Sequence, residues 1–282
     1  MLAKRFMTIL PDISLEEALE VTQIYSAMGL LKPGEPIIKT RPFRCPHHTT
    51  SDVAIVGGGS NPRPGEITLS HNGVLFLDEL PEFHRNVLEA LRQPLEEHSV
   101  TIARAVRSQR FPSRSILIAA MNPCPCGWYT DPKKECHCSS FQIQRYLSKI
   151  SGPLLDRIDI HLDVPSLPST ELLKPVQAEN SLAIKERTVK ARAVQKTRFK
   201  NTSIHTNAGM NHRQIKEFCA LDDEGKKLFR QAIDELGFSG RAYDKILRVA
   251  RTIADLAGQE HISTEHLAEA IQYRSLDRSW FG

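Results

Sequence analysis

A run of apolar residues ending in two adjacent carboxylates constrains the fold of this chain most. The run is GVLFLDELP, residues 73–81, in which VLFL leads into Asp78 and Glu79. A short, continuous apolar segment after glycine is typical of a buried strand in a parallel sheet. Carboxylates at the end of such a strand are typical of a Mg²⁺–nucleotide site, with Asp78 as the Mg²⁺ ligand and Glu79 polarising the attacking water. The alternative is a strand that ends in a solvated acidic turn.

A second strand pattern ends in an amide. The run SILIAAMNP, residues 115–123, is apolar up to Asn122. An amide at the matching strand end can position the attacking water or contact the γ-phosphate. The alternative is a turn asparagine before Pro123, which is common. Together the two strands predict a nucleotide site more specifically than either does alone.

The chain divides into an α/β part and a helical part. Prolines in PSLPSTELLKP, residues 165–175, predict a linker. We expect an α/β core over 1–165, a linker over 166–180 and a helical domain over 181–282. The predicted strands are 74–77, 115–120 and 158–164, with a hairpin within 99–114. The predicted helices are 15–28, 84–97, 141–149, 182–196, 211–220, 222–236, 241–257 and 264–273.

Composition bounds the class of protein. The 282 residues are 40% hydrophobic and 25% charged, which is ordinary for a globular protein of about two domains. The net charge of +4 is compatible with nucleic-acid binding but does not require it. No apolar run reaches the ~18 residues of a membrane span, and MLAKRFMTIL is too charged for a signal peptide. We therefore expect a cytoplasmic protein without a membrane partner.

Two arginines are candidate phosphate contacts. Arg157, in SGPLLDRIDIH, has the planar cation that an arginine finger needs to reach a neighbouring subunit's γ-phosphate. The alternative is a local ion pair with Asp156 or Asp159. Arg241 begins a predicted helix after Ser239-Gly240 and is expected to contact phosphate from the helical domain.

Four of the six cysteines form a compact set. Cys124-x-Cys126 and Cys136-x-Cys138 offer four thiolates on one loop, with His137 as a spare ligand. Four such ligands suit tetrahedral Zn²⁺, although the usual pair is C-x-x-C, and a closed four-ligand site would be structural. The alternative is a set of reduced thiols.

These segments, in this order, resemble the AAA+ ATPases, and closely resemble the Mg-chelatase-like group of YifB and ComM proteins. The resemblance covers nearly the whole chain and rests on RPFRCPHHTTS, VGGGSNPRPGE, HNGVLFLDELPEF, AAMNPCPCG, SGPLLDRIDIH and SGRAYDKILRVARTIADL. It implies an AAA+ P-loop core with a parallel sheet, followed by an all-helical lid domain. It further implies Asp78 and Glu79 as the Walker B pair, Asn122 as sensor 1, Arg157 as the arginine finger and Arg241 as sensor 2.

The resemblance also implies cofactors and partners. These are ATP and Mg²⁺, a hexameric ring of identical subunits, and DNA; for ComM proteins the role is a helicase driving branch migration in natural transformation. In related helicases the hairpin before sensor 1 contacts DNA phosphates, and here it carries Arg104, Arg107 and Arg110. The alternative is a solvated basic hairpin. For His47 and His48 we expect no metal site, because adjacent side chains point apart and no carboxylate is near in sequence.

The chain departs from the family pattern at its start. The family's phosphate loop immediately precedes the residues that match MLAKR, and the glycine-rich run 57–65 has no Gly-Lys-Ser/Thr. We therefore expect a sequence truncated just after Walker A, without the first core strand and without the N-terminal Lon-like domain. Such a chain should bind ATP poorly alone, because backbone amides and the lysine supply most phosphate contacts.

Three other functions fit parts of the sequence. A magnesium-chelatase motor subunit would use the same ATP chemistry on a porphyrin-inserting partner. A bacterial enhancer-binding activator has a similar FLDE strand, but GGGSNPRPGE replaces its GAFTGA loop. A non-catalytic remnant that binds DNA or a partner would account for the missing lysine loop.

Overall fold

The computed structural model describes residues 2–59, 62–103, 108–129, 131, 133–165, 178–202 and 204–274. The chain folds as two compact units. The first comprises Met1–Met7 and Asp12–Arg157, and the second comprises Thr8–Pro11 and Ile158–Gly282. Residues 166–177 of the expected linker lie outside the described residues.

The described part of the first unit contains helices and seven strands. The helices are α1 (Leu2–Phe6), α2 (Leu15–Ala27), α3 (Asp52–Val56), α4 (Glu66–Leu69), α5 (Arg85–Ala90), α6 (Arg92–Glu97), α7 (Ser140–Leu147) and α8 (Gly152–Leu155). The strands are β1 (Phe43–Arg44), β2 (Gly57–Gly58), β3 (Arg63–Pro64), β4 (Val74–Leu77), β5 (Ser99–Ala103), β6 (Ser108–Pro112) and β7 (Ile116–Ala119).

A parallel sheet in the order β1-β4-β7 forms the centre of this unit. The middle strand, β4, is shielded from solvent, since Val74, Leu75 and Leu77 are fully buried. Leu75 and Leu77 join a core that includes side chains of α5, the hairpin and α8. Each such leucine contributes about 2 kcal/mol by leaving water, so the core holds β4 in place and with it the polar groups that follow.

The hairpin predicted within 99–114 is confirmed. Strands β5 and β6 pair antiparallel from Ser99↔Pro112 to Ala103↔Ser108. Val100 and Ile102, on one face of β5, are buried in the core, while Arg110 on β6 is exposed. This alternation anchors one face of the hairpin and leaves the other accessible.

In its described part, the second unit contains helices and no strand. Its helices are α9 (Ser181–Arg198), α10 (His212–Phe218), α11 (Asp223–Leu236), α12 (Gly240–Leu256) and α13 (Thr264–Gln272). Ser239 and Ser263 cap α12 and α13 as predicted, and Gly237, at φ 63°, ends α11. The predicted α/β fold followed by an all-helical region is thus confirmed. Among the described residues no helix is both long and apolar enough to cross a membrane.

Three details of the sequence prediction were wrong. The helix expected over 84–97 is two helices, because Pro94 lacks an N–H and is accommodated only in the first turn of a new helix, α6. The strand expected over 158–164 is not formed; there the His161 N–H donates to the Tyr273 carbonyl, at 2.8 Å, instead of to a sheet. Strand β1 was missed because two residues show no periodicity.

Candidate active site

The two strands with polar ends lie side by side. Strands β4 and β7 pair in parallel from Val74↔Ile116 to Leu77↔Ala119. Pairing continues past the strand ends: the Ala120 N–H donates to the Leu77 carbonyl and the Leu80 N–H donates to the Ala120 carbonyl, both at 2.9 Å. The groups that follow, Asp78 and Glu79 after β4 and Asn122 after β7, therefore leave the same edge of the sheet.

The backbone turns sharply at the acidic pair. Glu79 has φ 53° and ψ 47°, a left-handed conformation that costs a non-glycine residue about 1 kcal/mol or more. A 3-10 turn with Pro81 follows at once. Asp78 is exposed and its Oδ1 accepts the Glu79 N–H at 3.1 Å. This turn directs both carboxylates away from the apolar core, where they are accessible to a cation and to water.

A histidine contacts the second carboxylate. His48 Nδ1 lies 3.0 Å from Glu79 Oε2. The His47 and His48 rings contact each other with centroids 4.1 Å apart, and His48 also meets Phe83 edge-on. The expectation that these histidines point apart and have no carboxylate nearby was wrong. The parallel pairing of β1 with β4 brings the chain after β1 to the end of β4. Because His48 and Glu79 are far apart in sequence, no local pattern predicted this contact.

Asn122 is held between a turn and a helix. The Gly127 N–H donates to the Cys124 carbonyl at 3.0 Å, and a Cβ on Gly127 would lie 3.8 Å from Asn122 Cγ. Tyr146, a buried residue of α7, lies close enough to the Asn122 backbone for that backbone to act on its hydroxyl. Burial raises the pKa of Tyr146, and the Asn122 backbone partly opposes this.

Arg157 is bound within its own chain. It follows α8; its guanidinium donates to the Pro153 carbonyl at 2.6 Å and forms an ion pair with Glu96 of α6. The arginine side chain is 12% exposed. Sequence reasoning considered the flanking aspartates as partners and missed Glu96, which is 61 residues away and carries no local signal. A finger role requires Arg157 to exchange this carboxylate for a phosphate.

The other arginines are distributed over both units. Arg241 is exposed in the first turn of α12, where the Ala242 N–H donates to the Ser239 Oγ at 3.2 Å. Arg110 lies on β6 and its Nε donates to the Ser99 Oγ at 2.9 Å. Arg104 and Arg107 lie outside the described residues. The phosphate and DNA contacts proposed for these arginines remain predictions.

The four clustered cysteines converge as the spacing predicted. The sulfurs of Cys124, Cys126, Cys136 and Cys138 all lie within 4.8 Å of one another, and three of the separations are 3.4, 3.6 and 3.7 Å. A disulfide requires about 2.05 Å, whereas the edge of a tetrahedron with Zn–S bonds of ~2.3 Å is about 3.8 Å. The set therefore has the spacing of ligands around one ion.

Backbone groups support the sulfurs. Cys124 accepts the Tyr129 N–H at 3.4 Å, and a backbone hydrogen bond from Trp128 lowers the pKa of Cys126 to about 6. A similar bond from Cys138 acts on Cys136, but desolvation and the neighbouring sulfurs raise the pKa of Cys136 to about 12. Adjacent thiols thus oppose one another's ionisation, and a bound divalent cation removes that conflict. The donor set fits Zn²⁺.

Two sequence profiles match the chain. The profile described as magnesium chelatase, subunit ChlI, matches residues 1–172, and that of the subunit ChlI C-terminal region matches residues 178–274. The chain belongs to the Mg-chelatase-like YifB/ComM family. It is 45% identical over 282 residues, 99% of the chain, to the competence protein ComM of Haemophilus influenzae, and covers 53% of that protein. It is 44% identical over 279 residues, 99% of the chain, to YifB of Escherichia coli, and covers 54% of it.

A protein from Mycobacterium tuberculosis is 38% identical over 97% of the chain, which covers 54% of that protein. The chain thus spans about half the length of the curated relatives it matches. The parallel sheet followed by a helical region is consistent with an AAA+ core. At a coarse level, the family suggests an ATPase that uses ATP and Mg²⁺.

Proposed function

We propose that this chain is the ATP-binding and ATP-hydrolysing module of a YifB/ComM-like motor. The observation that carries the proposal is the shared sheet edge at which Asp78, Glu79 and Asn122 emerge from paired parallel strands. In open α/β sheets, ligands bind outside the carboxyl ends of the strands. A nucleotide is the ligand that two carboxylates and an amide at this edge fit best.

Each side chain has a distinct role in the proposal. Asp78 would hold Mg²⁺, which would neutralise charge on the phosphate oxygens. Glu79 would accept a proton from the attacking water, and Asn122 would orient that water. Arg157 from a neighbouring subunit of a hexameric ring would stabilise the charge that develops on the transferred phosphoryl group, and Arg241 would contact phosphate.

The first test compares the chain with a form that has a phosphate loop. The sequence contains no Gly-x-x-x-x-Gly-Lys-Ser/Thr; the loop-completed chain is this chain extended at its amino end by a strand and such a loop. Calorimetry with Mg²⁺·ATP should detect tight binding only to the loop-completed chain. Glu79→Gln should lower kcat by about 10²-fold or more, with binding retained, because a proton acceptor is lost.

One result would contradict the proposal: a loop-completed chain that folds but does not hydrolyse ATP, which would favour a non-catalytic scaffold. Tight ATP binding to the unextended chain would contradict only the expected role of the added loop and would assign the phosphates to another segment.

For the complete protein, we propose a hexameric helicase that acts on DNA and drives branch migration in natural transformation. Support comes from the 45% identity to a competence protein and from the exposed Arg110 on the hairpin; the candidates Arg104 and Arg107 precede it in the sequence. Arginines there would bind the phosphate backbone without reading sequence. Each subunit would move its hairpin along DNA as ATP is hydrolysed.

DNA stimulation of ATP turnover separates this proposal from a magnesium-chelatase-like motor, which the profile match also favours. In the loop-completed chain, duplex DNA should increase kcat, and Arg110→Ala should weaken DNA binding and reduce its salt dependence. Arg85→Ala, an equal charge change on an exposed part of α5, is the matched control. A kcat for ATP hydrolysis that does not change when DNA is added would favour the magnesium-chelatase-like motor.

We also propose that the four-cysteine loop binds a single structural Zn²⁺. Metal analysis of the purified chain should find one equivalent, and replacement by Co²⁺ should give the absorption of a tetrahedral thiolate site. Cys136→Ser with Cys138→Ser should abolish both signals. Cys45→Ser, at an exposed cysteine outside the cluster, should leave them unchanged. A chain that folds without bound metal would favour reduced thiols.

A further inference from the structure

The loop that carries the four cysteines is continuous with the candidate catalytic amide. Only Pro123 separates Asn122 from Cys124, whose side chain is fully buried. The turn that follows returns the chain: the Gly127 N–H donates to the Cys124 carbonyl at 3.0 Å. The position of Cys124 therefore determines the path of the chain that follows β7, including Asn122.

The returning turn passes beside the Asn122 amide. Gly127 has φ +82°, a conformation that favours glycine, and a Cβ built there would lie 3.8 Å from Cγ and 3.9 Å from Nδ2 of Asn122. The turn that begins at Cys124 thus places position 127 within one side-chain atom of the Asn122 side chain. Opening the turn would change that environment.

The other end of the loop is tied to the opposite side of Asn122. Cys138 directly precedes Ser139, whose Oγ accepts the Gln142 N–H and caps α7. The same helix carries Tyr146, whose hydroxyl lies near enough to the Asn122 backbone to be affected by it. Because Cys136 and Cys138 meet Cys124 and Cys126 within 4.8 Å, the sulfur cluster joins both supports of Asn122.

We propose that Zn²⁺ binding to the four cysteines fixes the side chain of Asn122, so that metal occupancy controls the polar group at the end of β7. This inference rests on the zinc site and on the role of Asn122 proposed above. A loop released from the metal is free to sample other conformations, as an uncrosslinked segment is. The turn at Gly127 and the start of α7 are then no longer held in place beside Asn122.

Nuclear magnetic resonance on the chain itself tests the coupling without ATP. In the ¹⁵N-labelled chain, the side-chain amide signals of Asn122 are assigned by their loss in Asn122→Asp. Removal of Zn²⁺, by chelation or by Cys136→Ser with Cys138→Ser, should shift or broaden these signals. Cys45→Ser should leave them in place.

The variant Gly127→Ala distinguishes the effect of the turn beside Asn122 from the effect of zinc binding. It keeps all four sulfurs, so zinc content should be retained while the Asn122 signals shift. Asn122 signals that do not change when measured zinc is lost, in a chain that remains folded, would overturn the inference. Absence of zinc in the wild-type chain would instead overturn the zinc site itself, and neither result depends on ATP hydrolysis.

Discussion

The imidazole of His48 lies 3.0 Å, Nδ1 to Oε2, from the carboxylate of Glu79. Their side chains are 29% and 56% exposed, so the pair is accessible to solvent on one side. Glu79 itself has a left-handed backbone conformation directly after β4. His48 therefore restricts the orientations of the group proposed to activate water.

The effect of a substitution at His48 on kcat should depend on which ring nitrogen the new side chain imitates. The amide nitrogen of Asn reaches the position of Nδ1, whereas that of Gln reaches the position of Nε2. In the loop-completed chain, His48→Gln should lower kcat about 10-fold, the worth of one hydrogen bond to a charged group, with KM for ATP unchanged. His48→Asn should restore most of it. An increase in kcat for His48→Gln that His48→Asn reverses would mean that His48 holds Glu79 away from the water.

Arg157 and Glu79 should complement each other between subunits. Arg157→Ala and Glu79→Gln should each be inactive in the loop-completed chain, since an arginine finger contributes about 10³-fold or more. When the two variants are mixed in equal amounts, rings contain both kinds of subunit. An interface should recover activity where one subunit has an intact Glu79 and the next has an intact Arg157, which applies to roughly a quarter of the interfaces. Mixtures that stay inactive would place Arg157 in its own subunit's site, beside Glu96.

The first unit should lose stability as the pH falls through the range of histidine. His71 is 1% exposed; its Nδ1 accepts the Arg114 backbone N–H at 3.0 Å and its Nε2 lies 3.0 Å from Glu20. Burial lowers the pKa of His71, although the hydrogen bond and charge of Glu20 partly oppose this. The unfolded chain therefore takes up the proton first, so stability present above about pH 6.5 is lost below it.

Urea denaturation at about pH 7.5 and about pH 5.5 measures this difference. His71→Gln removes the titrating ring and should flatten the dependence in that interval. A dependence that is equal in wild type and in His71→Gln would assign the proton uptake to another group.

A buried carboxylate should stabilise the helical unit. Asp255 is 4% exposed and accepts hydrogen bonds from Arg198 at 2.6 and 2.7 Å, Asn207 at 2.8 Å and Arg251 at 3.0 Å. Asp255→Asn leaves buried arginine charge uncompensated and should cost about 3 kcal/mol or more of unfolding free energy. Asp223→Asn breaks an exposed pair with Lys226 and should cost less than about 1 kcal/mol. Equal losses from both substitutions would contradict a special role for the buried network.

The sequence by itself determined the elements whose signals are local. The apolar run of β4 and the carboxylates that follow it, the serine caps of α12 and α13, and the glycine that ends α11 all depend on residues within a few positions of each other. The paired cysteines likewise indicated one site by spacing alone. Such patterns are readable because helix capping and strand burial act over short sequence distances.

Tertiary structure alone decided which distant groups meet. His48 reaches Glu79 because the two-residue strand β1 pairs with β4 in parallel, and Glu96 reaches Arg157 because α6 and the end of α8 meet. These outcomes depend on strand pairing and packing between segments 30 to 60 residues apart, for which a single sequence carries no periodic signal.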